Sequence, residues 1–127
     1  MKRSIISSTE APAAIGPYSQ AVRVADTVYL SGQIPLDPRS GQMVEGDISA
    51  QARQVFANLA AVAAAAGGSL QQAVRIGIFL TDLNDFAAVN QVMEALLQPP
   101  YPARATVGVA ALPRGARVEA DAILVLG

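Results

Sequence analysis

The chain contains no cysteine and no histidine. Without cysteine there is no disulfide frame, thiol nucleophile or thiolate metal site, and nothing ties the chain to an oxidising compartment. Without histidine, the usual general base, the serine–histidine dyad and the commonest zinc ligand are also excluded. Any chemistry must therefore run on Asp, Glu, Tyr, Arg, hydroxyls, backbone groups or the single lysine, Lys2. Charge is scarce as well: 15% of the residues are Asp, Glu, Lys or Arg, against about 25% in an average soluble domain. The net charge is -1 and no basic cluster interrupts the sequence, which leaves no footprint for nucleic acid. Aromatic residues, 5% of the total, are too few for a stacking platform. No segment approaches the roughly 20 apolar residues that cross a bilayer. The stretch "MKRSIISSTEAP" has two basic residues but no apolar run of signal-peptide length. The sequence predicts a cytoplasmic protein without a nucleic-acid or membrane partner.

What is abundant is apolar character, 52% of 127 residues. That suffices for a core, and residues 1–127 read as one domain with no linker or repeat. A small domain with so few charges leaves apolar surface facing water, which predicts association with copies of itself. "AVRVADTVYLSG" gives two short apolar stretches around Ala25-Asp26, a hairpin signal, and "IPLDPRSGQMVEGD" reads as loop. From Ile48 the period changes: Ala52, Val55, Leu59, Val62 and Ala66 form one helical stripe. Asp47 or Ser49 can cap its start and Gly67-Gly68 its end. "VRIGIFL" alternates, with Val74, Ile76, Ile78 and Leu80 on one face of a strand. Phe86, Val89, Met93 and Leu96 mark a second helix, stopped by Pro99-Pro100. Two strands follow, Ala103 to Val109 and Arg117 to Leu126, joined by "ALPRGA". The predicted order is β-β-β-α-β-α-β-β, an α+β domain with both helices on one face of a mixed sheet.

The chemistry concentrates in the last two strands. Side chains alternate along each, so Ala105, Val107 and Val109 are predicted to face the core and Arg104, Thr106 and Gly108 the other side. In the final strand Val118, Ala120, Ala122 and Leu124 form the apolar set, leaving Arg117, Glu119 and Asp121 opposite. If the strands are neighbours, they present these polar groups together, away from the helices. Glu119 and Asp121 would stand about 7 Å apart. Such neighbours oppose each other's ionisation, while a nearby arginine favours it. Two readings stay open. In one, Arg104, Arg117, Glu119 and Asp121 form cross-strand ion pairs, exposed or covered by a partner subunit. In the other, the guanidinium fork of Arg104 waits for a ligand's carboxylate, with Glu119 positioning or activating a water. The turn Pro113-Arg114-Gly115 lies slightly past the midpoint of residues 104 and 119, so those two side chains need not sit directly opposite.

These residues also resemble a known family. "YPARATVGVAALPRGARVEA" is similar to the signature of the RidA/YjgF-type reactive intermediate deaminases: Pro-Ala-Arg, an alternating strand, Leu-Pro, then a hydrophobic residue followed by glutamate. "APAAIGPYSQAV", "SGQIPLDPRSG", "AQARQVFANL" and "TDLNDFAAVN" resemble family segments in the family's order. The resemblance implies a chorismate-mutase-like fold, a homotrimer with clefts between subunits, and hydrolysis of enamines and imines such as 2-aminoacrylate to a 2-keto acid and ammonia. It implies no cofactor and no metal. Carried across by position, Arg104 would hold the substrate carboxylate, Glu119 would position the attacking water, and Tyr18 would be a site tyrosine. Gly32 would offer a backbone contact with Ser31 beside it, and Phe86, Asn90 and Thr106 would line the cleft. Relatives often carry cysteine where Thr106 stands, which excludes thiol-based regulation here. Each position also has a plainer explanation: a turn closed by Tyr18 after Gly16-Pro17, a turn glycine at 32, core packing for Phe86, solvation for Asn90. Ala120 departs from the family's usual isoleucine or methionine, and "LLQPPYPAR" is a shorter approach to the arginine than usual. The rivals to catalysis are a regulatory trimer that binds 2-keto acids without transforming them, and the translation-inhibitor or endoribonuclease activity that the family's other labels carry. The acidic balance and scarce aromatics argue against the latter.

Overall fold

The apolar stretches on either side of Ala25-Asp26 do fold back on each other. Ala21–Val24 (β2) and Thr27–Gln33 (β3) pair antiparallel around that two-residue turn. Ala25 adopts φ of 53°, a left-handed conformation that costs an alanine roughly 1–2 kcal/mol. The structure, a computed structural model, describes residues 2–127. Its first strand, Arg3–Ile6 (β1), extends the hairpin at the sheet's edge. Helix α1 covers Ile48–Ala65, with the Asp47 carboxylate accepting from the amide of Ala50 at 2.9 Å. It ends where Gly67, at φ of 87°, turns the chain so that the Gly68 amide reaches the carbonyl of Ala63. The whole predicted stripe of α1 is buried.

Strand β4 (Ala73–Leu80), helix α2 (Phe86–Leu96) and strand β5 (Ala103–Gly108) form a parallel crossover unit. Strand β6 (Val118–Val125) completes a six-stranded sheet in the order β1-β2-β3-β6-β4-β5. Only the β4–β5 pair is parallel. Both helices lie on one face, as predicted, and the core fills the space beneath them: Val55, Leu59 and Val62 of α1 against Val28, Ile76, Ile78, Leu80, Val118 and Leu124 of the sheet. Val74 leaves the predicted buried set because a register irregularity between Ala73 and Arg75 turns it out. In α2 the buried residues are Val89, Val92 and Met93, while Phe86 and Leu96 are exposed.

The largest difference from expectation concerns β5 and β6. They are not neighbours. β4 lies between them, because β6 crosses back into the middle of the sheet, pairing antiparallel with both β3 and β4. Arg104, Thr106 and Gly108 are in register with Ile76, Ile78 and Leu80, so they face the helices, and Ala105 and Val107 face the open side. The predicted faces of β5 are reversed. Those of β6 hold: Val118, Ala120, Ala122 and Leu124 are buried under the helices. The open face carries Ile5, Tyr29, Val107 and Val125, all at least 43% exposed. Between these apolar groups it also carries Arg75, Glu119 and Asp121.

Candidate functional site

Arg104 starts from the edge strand and turns under α2. One guanidinium nitrogen donates to Oδ1 of Asn90 at 2.6 Å and lies 3.7 Å from Sδ of Met93. The guanidinium carbon sits 5.1 Å from the centre of the Phe86 ring, a cation–π platform. These partners come from one helical face, since residues 86, 90, 93 and 97 recur at three- and four-residue steps. Among the described residues no carboxylate lies within ion-pairing distance of Arg104; the ion pairs are Arg23–Asp26 and Arg117–Asp85. The cross-strand network among Arg104, Arg117, Glu119 and Asp121 does not form. Arg117 instead holds both oxygens of Asp85 at 3.1 and 3.0 Å, joining the start of β6 to the residue that precedes α2. Phe86 follows directly, so this clasp fixes the ring on which Arg104 rests.

Backbone donors stand beside the guanidinium. The amide of Val109 donates to Leu80 of β4 at 2.8 Å. By strand alternation, Ala105 and Val107 share that inner edge, and the N–H groups of Arg104, Thr106 and Gly108 point to the free edge. β5 pairs with no other strand among the described residues. A carboxylate approaching Arg104 from the edge thus meets a fork and a peptide N–H, a combination suited to anions. A cavity of about 360 Å³ opens at this point, lined by Asn90, Met93, Glu94, Leu97, Tyr101, Pro102 and Arg104. Sequence reasoning singled out Asn90 and Arg104 but missed Met93 as a contact, and Glu94, Leu97, Tyr101 and Pro102. The helical spacing of 90, 93, 94 and 97 was the available signal.

A second cluster lies on the other face. Between Leu30 and Gln33 the register of β3 against β6 shifts, a bulge that brings Gly32 against Glu119. A Cβ on Gly32 would overlap Oε2 of Glu119 and stand 3.0 Å from its Cδ. The absence of a side chain at 32 is what leaves room for the carboxylate. Glu119 is half-buried, and that burial, with Asp121 two residues along the strand, raises its pKa above the ordinary carboxylate value. Ser31 donates its hydroxyl to the carbonyl of Ser19 at 2.5 Å and its amide to that of Gln20 at 3.0 Å, so it ties the preceding loop to β3. In that loop the amide of Tyr18 meets the carbonyl of Gly16 at 2.9 Å, as the turn explanation expects. Its ring nevertheless stands 53% exposed and shares a cavity wall with Gly32 and Arg114. The buried side chain of Gln20 holds the loop from beneath. It donates to the carbonyl of Pro12 at 2.7 Å and to that of Ser8 at 3.1 Å, and accepts from the amide of Ser8 at 2.6 Å.

The predicted residues therefore fall into two groups within one chain. Phe86, Asn90, Arg104 and Thr106 lie on the helix face at the β5 edge. Tyr18, Ser31, Gly32 and Glu119 lie around the open face near the β3–β6 bulge. Arg104 and Glu119 are two strands apart, about 10 Å laterally by strand spacing alone, and point to opposite sides.

Comparison with known proteins gives the chain's relatives. Residues 8–126 match the family described as Endoribonuclease L-PSP. A 2-iminobutanoate/2-iminopropanoate deaminase of Dermatophagoides farinae is 51% identical, covering 98% of this chain and 97% of its own. Protein DfrA of Myxococcus xanthus is 57% identical over the same shares. The crystal structure of RidA from an Antarctic Psychrobacter superposes with a TM-score of 0.94 at 53% identity, covering 97% of this chain and 99% of that one.

Proposed function

The chain belongs to the RidA/YjgF family, which the Endoribonuclease L-PSP description covers, and from that premise we propose that it is a 2-iminobutanoate/2-iminopropanoate deaminase. It hydrolyses reactive enamines and imines of 2-amino acids to 2-keto acids and ammonia. The observation that carries this reading is the free guanidinium of Arg104, steadied by Asn90 and Phe86 but paired with no carboxylate.

The chemistry follows from the groups present. 2-Aminoacrylate takes a proton on its terminal carbon, gives one up from its nitrogen, and becomes 2-iminopropanoate. The imine's carboxylate docks on Arg104 and the edge N–H of Thr106. A water held by Glu119 adds its oxygen to the imine carbon, and the nitrogen gains a proton. A carboxyl with raised proton affinity is suited to relay that proton. The tetrahedral adduct then expels ammonia and leaves pyruvate. This hydrolysis is intrinsically easy, so positioning and a few kcal/mol of electrostatic stabilisation suffice, on the order of 10²–10³-fold. No histidine is required.

Two copies of the chain build the cleft. Arg104, Phe86, Asn90 and Thr106 of one copy face Tyr18, Ser31, Gly32 and Glu119 of another. Two features support this: the groups lie on opposite faces of a single chain, and the open face exposes Ile5, Tyr29, Val107 and Val125. The expected assembly is a homotrimer. No helix among the described residues is long and apolar enough to cross a membrane, and the proposed place of work is the cytoplasm, beside the enzymes that release such imines. The test couples serine or threonine to a pyridoxal-phosphate dehydratase and follows keto-acid appearance. Wild type is expected to accelerate release and Arg104→Ala to lose that effect; equal acceleration by the variant would overturn the assignment.

A further inference from the structure

The cavity beside Arg104 runs from the guanidinium along the end of α2. Beyond the guanidinium it is walled by Met93 and Leu97, both buried, with Tyr101, more than half exposed, at its mouth beside Pro102. These walls suit an uncharged alkyl or thioether chain.

One lining residue does not fit that description. Glu94 is the only acid on the cavity, and Arg104 is the only base. The two are separated by Asn90, whose Oδ1 accepts from Arg104 at 2.6 Å and whose Nδ2 donates to Oε1 of Glu94 at 3.4 Å. Positive charge on β5, neutral amide and negative charge on α2 are thus linked in sequence. A ligand anchored by its carboxylate at Arg104 extends its chain along α2. A second carboxylate on that chain finds no cation and meets Glu94.

On the reading given above for the site, we infer that Glu94 is a specificity determinant. It admits 2-imino acids with uncharged chains and turns away those bearing a second carboxylate. The amide of Asn90 is held in one orientation by the same contact, so charge and positioning must be separated. Glu94→Gln keeps an acceptor oxygen for Asn90 and removes only the charge, whereas Glu94→Ala removes both.

The measurement uses stable product acids, 2-oxohexanoate and 2-oxoglutarate, titrated into the full-length protein by calorimetry at low salt. Wild type is expected to bind 2-oxohexanoate at least about tenfold more tightly, and Glu94→Gln to shrink that ratio by about threefold or more. Equal binding of the two acids by wild type, or a ratio unchanged in Glu94→Gln, overturns the inference. Both outcomes leave the deaminase reading standing, because that reading is decided by Arg104-dependent keto-acid release. A wild type that binds neither acid and accelerates no release removes both.

Discussion

Gly32 offers the most direct probe of how the open-face cluster is built. Its φ lies outside the left-handed range, so alanine can adopt the same backbone and the effect of substitution is purely steric. The new Cβ would overlap Oε2 of Glu119, with Cδ at 3.0 Å and Cγ at 3.3 Å, where ordinary contact begins at 3.4 Å. The carboxylate must swing aside by ~1 Å. Because it is the end of a flexible side chain, the fold tolerates this. An off-rotamer Glu119 costs about 0.5–1.5 kcal/mol, offset by the 0.4–1 kcal/mol that alanine gains through a stiffer unfolded chain. Stability should be near neutral. Catalysis should not be: a misplacement of ~1 Å at a positioning group can cost on the order of 10²-fold. The assay is keto-acid release in the dehydratase-coupled system, with thermal melting to confirm the fold. A double-mutant cycle supplies the control, since Gly32→Ala placed on Glu119→Gln should cost little further. Gly32→Ala with full activity and an unaltered melt would refute the claim that this glycine exists to seat Glu119.

Three other outcomes are expected. Burial raises the folded-state pKa of Glu119 above the unfolded value of 4.5, so the folded chain binds the extra proton and its stability falls as pH rises through that window. Solvent screening of this half-exposed group keeps the effect below about 1 kcal/mol. Glu119→Gln should therefore lose deaminase activity while melting ~1–3 °C higher at pH 7, and melting curves recorded from pH 4 to 8 give the slope. Ala25→Gly should stabilise the protein by ~1 kcal/mol by relieving a φ of 53°, measured by urea unfolding. Arg117→Met should cost ~1–2 kcal/mol, because it strands the Asp85 carboxylate, whose side chain is only 12% exposed; it should also raise KM more than it lowers kcat, since Phe86 loses its fixed start.

Much of the fold was legible because its signals are local. The α1 stripe, the Asp47 cap, the Ala25-Asp26 turn and the order of elements all follow from neighbours within a few residues. The pairing of β6 was not, since "ALPRGA" resembles a hairpin turn and nothing nearby says that the strand after it passes over β4 to meet β3. The face of β5 was misread for a related reason. Its apolar set, Ala105, Val107 and Val109, reads as core, yet the open face of this sheet also carries apolar side chains, and alternation cannot tell one face from the other. For the candidate site, the family resemblance points to Arg104, Glu119 and Tyr18, whereas the cavity wall at Met93, Leu97 and Tyr101 looks like ordinary core and loop. The free state of Arg104 depends on where α2 lands, which no single stretch of sequence encodes.

The segment between Ser8 and Pro12 belongs to no ladder, and one glutamine amide, Gln20, meets its carbonyls and an amide at once. A strand frays residue by residue, but a span tied down by a single knot has no partial release. Either the knot holds and Ala11 stays buried, or the whole span lifts together and changes the wall of the cavity that it shares with Tyr18.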